Sequence, residues 1–291
     1  MKIGYACINT TINCTSNKTF RLKSYSEEKL IETIKENLNC LKRILEFNLE
    51  NNILLFRIGS ELIPFASHSI NKFNWMMYFK KEFEELGKFA KKNNMRLTMH
   101  PGQYTILNSP REEVVFNAIK DLEYHCKVLD AMNLDETCKV TIHIGGIYGD
   151  QKAAMGRFIS NYKKLPSFVR KRLIIENDDK SYSLKDCLKI SSELDIPVVF
   201  DFFHHECLNN GEDAVIALKD AMNTWKKKDG LPLTHYSEQK KGGRKGSHSE
   251  TIDLSEFAKF LKKVNGLDFD VELEVKDKEQ SVLNVYTGLK L

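Results

Sequence analysis

Imidazole and carboxylate dominate the positions of this chain that could do chemistry. The histidines are His68, His100, His125, His143, His204, His205, His235 and His248, and all but His125 end or closely follow a β-rich run. Glu176, Asp201 and Glu274 close further runs of the same kind. Borderline nitrogen donors mixed with hard carboxylate oxygens suit zinc or manganese ions. Singly, each would read as an ordinary core or surface side chain; gathered at one mouth, so many would be costly to desolvate without a cation. His68, His100, His143, His204, His235 and His248 with Glu176, Asp201 and Glu274 make nine candidate ligands, where one catalytic zinc ordinarily takes about three protein groups. More than one ion is implied. Two ions roughly 3.5–4 Å apart are the usual arrangement for displacing a phosphate ester, so phosphodiester hydrolysis is the leading reaction class, with Glu176 the candidate bridging carboxylate. His125, inside the helical stretch Asp121-Leu122-Glu123-Tyr124-His125, reads as a packing or hydrogen-bonding residue.

Residues this far apart in sequence meet only in a fold whose strand ends converge. β-rich runs at 3–9, 53–59, 96–100, 139–145, 172–177, 197–202, 231–237 and 268–275 alternate with helical patterns at 26–47, 74–92, 111–132, 152–164, 184–194, 211–227 and 253–264. Near-continuous apolar strands separated by helices imply parallel pairing through crossovers. Eight such units predict an α/β fold, a (β/α)8 TIM barrel forming a single domain over residues 1–291, with the metal site at the C-terminal face of its strands. An open doubly wound sheet is the competitor, but it usually carries a glycine-rich turn after its first strand; here that turn reads Asn9-Thr10-Thr11-Ile12-Asn13. The eighth unit is weak, with only Asp277 to Leu291 left for a short last helix.

With 42% hydrophobic and 29% charged residues in 291, the chain is neither disordered nor a membrane protein. A net charge of +4 permits a polyanionic partner without demanding one. The amino terminus reads as a strand rather than an export signal, and apolar runs such as Ile53 to Phe56 fall far short of the ~20 residues that span a bilayer. A soluble cytoplasmic protein is expected. Seven scattered cysteines, an odd number without a Cys-x-x-Cys pair, predict reduced, mostly buried thiols rather than disulfides or a thiolate zinc site. The one biased stretch, Gln239 to Gly246, predicts a flexible basic loop after the seventh strand.

Larger motifs carry a resemblance. IGYACIN at 3–9, FRIGSELIPFASH at 56–68, HPGQYTILNSP at 100–110, IHIGGIYGD at 142–150, RLIIENDD at 172–179, FDFFHH at 200–205, HYSEQ at 235–239 and LEVKDKE at 273–279 run nearly end to end. Together they resemble the UV damage endonucleases, a TIM-barrel DNA repair family. The resemblance implies a monomer that acts on damaged double-stranded DNA in the cytoplasm, at the nucleoid. It implies incision immediately 5′ to pyrimidine dimers, 6-4 photoproducts and other distorting lesions. Two or three divalent ions would serve, Mn²⁺ foremost, with Zn²⁺, Mg²⁺ or Co²⁺ as alternatives. The implied metal ligands are the same nine residues, with Glu176, His100, His143 and Glu274 closest to the chemistry. Gln103 and Tyr104 match a pair that wedges into the duplex, where an aromatic and an amide can replace stacking lost on base extrusion. Tyr5 and Asn9 match positions that line the lesion pocket. On such a barrel Arg57, Lys240, Lys241, Arg244 and Lys245 are the expected phosphate-touching cations, with Lys276 and Lys278 nearby. One departure is Leu233, where some members carry a lysine proposed to bridge metals. Competing readings are an abasic-site endonuclease or a metal-dependent sugar isomerase on the same barrel, and a lesion-binding module that does not cut.

Overall fold

Four or five residues of each β-rich run form the strand proper, and their side chains alternate between the lumen of a barrel and its helical jacket. The computed structural model describes residues 1–290. The strands are β1 (Ile3–Cys7), β2 (Leu55–Ile58), β3 (Arg96–Met99), β4 (Val140–His143), β5 (Leu173–Glu176), β6 (Val198–Asp201), β7 (Leu233–Tyr236) and β8 (Asp270–Leu273). They pair in sequence order, all parallel, and β8 closes on β1 through Ile3 beside Val271 and Tyr5 beside Leu273. This is the (β/α)8 barrel, and its closure rules out the open sheet. The helices are α1 (Glu27–Glu50), α2 (Trp75–Tyr78), α3 (Lys80–Lys92), α4 (Glu112–Ala131), α5 (Gln151–Lys163), α6 (Ser167–Arg172), α7 (Leu184–Leu194), α8 (Phe202–Cys207), α9 (Ala214–Met222), α10 (Leu254–Lys263) and α11 (Glu279–Leu289). No described helix is long and apolar enough to cross a membrane.

The strand alternation sets what fills the lumen. In β2, Phe56 and Ile58 join the main core with the helices, whereas Leu55 and Arg57 point inward. Three tiers result. At the amino-terminal end Arg96 Nη1 meets Asp270 Oδ2 at 2.9 Å and Lys139 Nζ meets Asp229 Oδ1 at 2.6 Å. Leu55, Ile174, Val199 and Leu233 make a separate aliphatic layer, with Trp225 packed against it. Beyond it lies a polar tier that opens at the mouth. Such barrels usually draw the four side chains of a layer from alternate strands; here they come from β2, β5, β6 and β7.

The helical patterns needed three corrections. The stretch 74–92 is two helices that meet at Phe79, which is buried beside Phe73 and Tyr78. Helices α6 and α8 were not expected; α8 begins where the Asp201 side chain accepts from the His204 backbone N–H and caps it. The 211–227 pattern shrinks to α9, because Trp225 leaves the helix and donates from Nε1 to the Val198 carbonyl under the barrel. The eighth unit holds, with α11 formed.

The cysteine expectation is overturned in part. Cys14 and Cys40 form a disulfide, Cα to Cα 5.8 Å, between the β1–α1 loop and the middle of α1. Their 26-residue separation carries no spacing signal; only the packing of the loop on α1 brings them together. The remaining cysteines are free, with Cys126, Cys138 and Cys187 buried.

Candidate metal centre

Register places the site. His143 and Glu176 are partners at the ends of β4 and β5, and Asp201 and His235 are partners across β6 and β7. His100 and Glu274 follow β3 and β8 directly, and His204 enters on the first turn of α8. Glu176 stands at the centre. Its Oε2 lies 3.0 Å from His100 Nε2 and 3.7 Å from His143 Nε2, while its Oε1 lies 2.9 Å from His235 Nδ1 and 3.4 Å from His204 Nδ1. Three metal-competent groups follow: His100–His143–Glu176, Glu176–Asp201–His204 and Glu176–His235–Glu274, each with donor atoms within 4.8 Å of one another. All three share Glu176.

The electrostatics are those of a site balanced by protons in the absence of a metal. Burial, only partly offset by His204, pushes the Asp201 carboxyl up to about 6. Its Oδ2 is buried with no hydrogen-bond partner. Burial alone would lower His204 and His235, but Asp201 and Glu176 push His204 up to about 11, and Glu176 and Glu274 push His235 up to about 9. Burial would raise Glu176, yet His235 and His143 hold it well below the usual carboxylate range. Arg57 and His235 likewise hold Glu274 down against burial. His143 is lowered by burial despite Glu176. An orphaned carboxylate oxygen among carboxylates and imidazoles is what a divalent cation would satisfy, and the donor set fits zinc or manganese.

Beneath this centre sits an ion pair that strand-end reading missed. Arg57 Nε donates to Glu272 Oε2 at 2.6 Å, and its Nη2 lies 2.6 Å from Glu274 Oε1 and 2.8 Å from His235 Nε2. The Thr98 hydroxyl donates to Glu272 Oε1. Arg57, expected to touch phosphate, is therefore a correction: it is buried and committed to two carboxylates. The missed signal is the two-residue period, which puts Glu272 on the lumen face with Glu274 and Arg57 on that face with Leu55.

Other expected residues divide. His248 is adjacent to the centre, with Nδ1 2.8 Å from the Glu274 carbonyl and its ring 5.8 Å from that of His204, but it belongs to none of the three groups. His68 is exposed, with Nδ1 accepting from the Ile70 N–H at 3.0 Å, and also stands outside them. His125 is a buried hydrogen-bonding residue, between the Asp121 carbonyl and the Ser60 hydroxyl.

Tyr5 does not line an open pocket: its ring is fully buried, edge-on to Phe56, because its place in β1 faces α1. The Tyr5 hydroxyl donates to Asn48 and accepts from Asn9, whose Oδ1 accepts from the Thr11 and Ile12 N–H groups. Gln103 is exposed and Tyr104 is 66% exposed, on a turn that Thr105 anchors through Asp121. The basic loop is not slack but folded around Gln239, whose Nε2 donates to the Arg244 carbonyl and whose Oε1 accepts from the Gly246 N–H. Gly246, at φ +83°, lies so close to Asp179 that a Cβ would sit 2.3 Å from its carboxylate. Lys240 pairs with Glu250, as does Lys276, whereas Lys241, Arg244 and Lys245 are exposed without a carboxylate partner among the described residues.

Leu233, the departure from the lysine of some relatives, lies in the aliphatic layer.

The model of the UV-endonuclease UvdE family matches residues 1–291. The UV DNA damage endonuclease of Clostridium perfringens (strain 13 / Type A) is 44% identical over 292 residues, covering 100% of this chain and 71% of the relative. That of Bacillus thuringiensis subsp. konkukian (strain 97-27) is 35% identical, covering 97% and 92%. The crystal structure of SacUVDE superposes with a TM-score of 0.96 at 45% identity, covering 100% of this chain and 98% of that one. Family model, relatives and barrel thus agree along the whole length, and the chain belongs to the UV-endonuclease UvdE family.

Proposed function

We propose that this protein is a metal-dependent endodeoxyribonuclease that incises the backbone of double-stranded DNA immediately 5′ to pyrimidine dimers, 6-4 photoproducts and other distorting lesions. Two or three divalent ions, Mn²⁺ foremost, are its cofactors. The observation that carries the reading is the buried cluster around Glu176, in which three ligand groups share one carboxylate. His100, His143, Glu176, Asp201, His204, His235 and Glu274 would hold the ions, with His248, whose ring lies 5.8 Å from that of His204, and His68 as the further ligands. Ions bound there supply Lewis acidity, activating water near neutral pH and offsetting charge on the phosphate.

The chain's own residues do the rest. Glu176 keeps the ligand groups in register, and the Arg57–Glu272 pair fixes His235 and Glu274 from below. Gln103 and Tyr104, both exposed on the β3–α4 loop, would enter a distorted duplex. Lys241, Arg244 and Lys245 supply the phosphate contacts. The test is nicking of UV-irradiated and unirradiated supercoiled plasmid with Mn²⁺ or with a chelator, beside a duplex bearing one abasic site. Metal-dependent nicking of irradiated DNA supports the reading; cutting confined to the abasic duplex overturns it. Glu176→Gln should abolish nicking and lower metal content while leaving the far-ultraviolet circular dichroism unchanged.

A further inference from the structure

Tyr148 lies in the β4–α5 loop, on the same end of the barrel as Glu176, and packing does not explain it. It is 46% exposed, and its φ of +53° is a left-handed conformation that bulky side chains rarely adopt. Such strain concentrates where a site uses the side chain. The ring lies over Gly146, where an added Cβ would come within 3.0 Å of it. Tyr104 repeats the design in the neighbouring β3–α4 loop: its ring covers Gly102, two residues before it, at 2.4 Å from an added Cβ. Each glycine makes room for an aromatic held flat against its own loop.

The two loops are joined. Asn108 Nδ2, from the loop of Tyr104, donates to the Gly146 carbonyl at 2.8 Å, and the Tyr182 hydroxyl donates to that same oxygen at 3.0 Å. Arg157 of α5 donates from Nε to the Asn108 carbonyl at 2.8 Å and sets its guanidinium carbon 5.6 Å from the Tyr148 ring centre. No carboxylate pairs with Arg157 among the described residues, which leaves the outer edge of its fork free. The mouth therefore presents two separate aromatic rings on a braced pair of loops, with a cation that has no carboxylate partner among the described residues over the second.

We propose that Tyr148 is a second base-stacking residue for lesion-containing DNA, acting beside Tyr104, and that Arg157 contacts an adjoining phosphate. The inference rests on the function proposed above and names a further part of its substrate interface. Extruding a two-base lesion leaves neighbouring and opposite bases without stacking partners, and one inserted ring cannot face all of them. Aromatic platforms beside a cationic track are the general means of holding unpaired bases.

The test is fluorescence anisotropy with a short duplex bearing one thymine dimer and with its undamaged counterpart, in chelator so that neither is cut. Tyr148→Asn keeps a residue that tolerates the left-handed backbone, and Tyr148→Phe keeps the ring. Tyr148→Asn should weaken dimer binding about tenfold and undamaged binding less than about twofold, while Tyr148→Phe matches the parent. Arg157→Gln should weaken both duplexes. Parental dimer binding by Tyr148→Asn, or equal losses on both duplexes, would overturn the stacking role; parental binding by Arg157→Gln would overturn the phosphate contact. A parent that never prefers the dimer duplex would instead sink the proposed function, and this inference with it.

Discussion

Arg57 ties the floor of the mouth together, because one buried guanidinium answers both Glu272 and Glu274. Removing one partner of a buried pair leaves an uncompensated charge, so Arg57→Met should cost about 3–5 kcal/mol, read as a lowered urea midpoint. Adding Glu272→Leu should recover part of that loss; no recovery would mean that the pair is not what holds the tier. The imidazoles give a pH signature. His204, raised to about 11, is protonated near pH 7 in the metal-free site. His235 Nε2, 2.8 Å from the Arg57 Nη2 donor, accepts from it and carries no proton there. Ligation requires neutral imidazole, so binding must expel the extra His204 proton and tighten as pH rises. Calorimetric metal titrations in two buffers of unlike ionisation enthalpy should show about one proton released near pH 7. Because its value is raised above the ordinary ~6.5, protonated His204 stabilises the metal-free fold fully below that pH. That stabilisation fades as pH climbs through about 11. At this scale the cluster around Glu176 was legible because histidine is scarce and seven of the eight end or closely follow a β-rich run. Glu272 was missed, and Arg57 and Tyr5 were misjudged, because side-chain direction along a strand, not proximity to its end, decides lumen, jacket or mouth.

Elements that repeat were readable and elements that connect were not. All eight strands fall inside their expected runs, since each needs an apolar face toward the helices whatever its neighbours do. The breaks at Phe79 and after Asp201 depend on tertiary docking, which local periodicity does not record. The basic loop shows the limit most clearly: its glycines and lysines suggest slack chain, but Gln239 closes it into a fixed turn. Holding three unpaired cations in place, the loop should act as a unit on the DNA backbone. Replacing Lys241, Arg244 and Lys245 together by Gln should flatten the plot of log affinity against log salt by roughly 2–3, at about 0.9 for each phosphate no longer neutralised. An unchanged slope would remove this loop from the interface.

For the molecule as a whole, closure of the sheet by β8 on β1 brings all eight strand ends to one face, and seven of the nine scattered candidates meet there around Glu176. The Cys14–Cys40 bond adds a constraint beyond the sheet. By loop-closure entropy it should stabilise the fold by about 3 kcal/mol. Reduction of the parent, or the Cys14→Ser/Cys40→Ser pair, should therefore lower the melting temperature by several degrees; identical melting with and without reductant would show that the bond adds nothing. The aliphatic layer of Leu55, Ile174, Val199 and Leu233 has a different reach. It partitions the lumen, so that the charged plug at the closed end and the charged centre at the open end do not share solvent. Changes on the exposed surface around the closed end can then go unnoticed by the reaction, and an engineer seeking a place to graft a label or a fusion has that rim to use, provided the buried Arg96–Asp270 and Lys139–Asp229 pairs are kept.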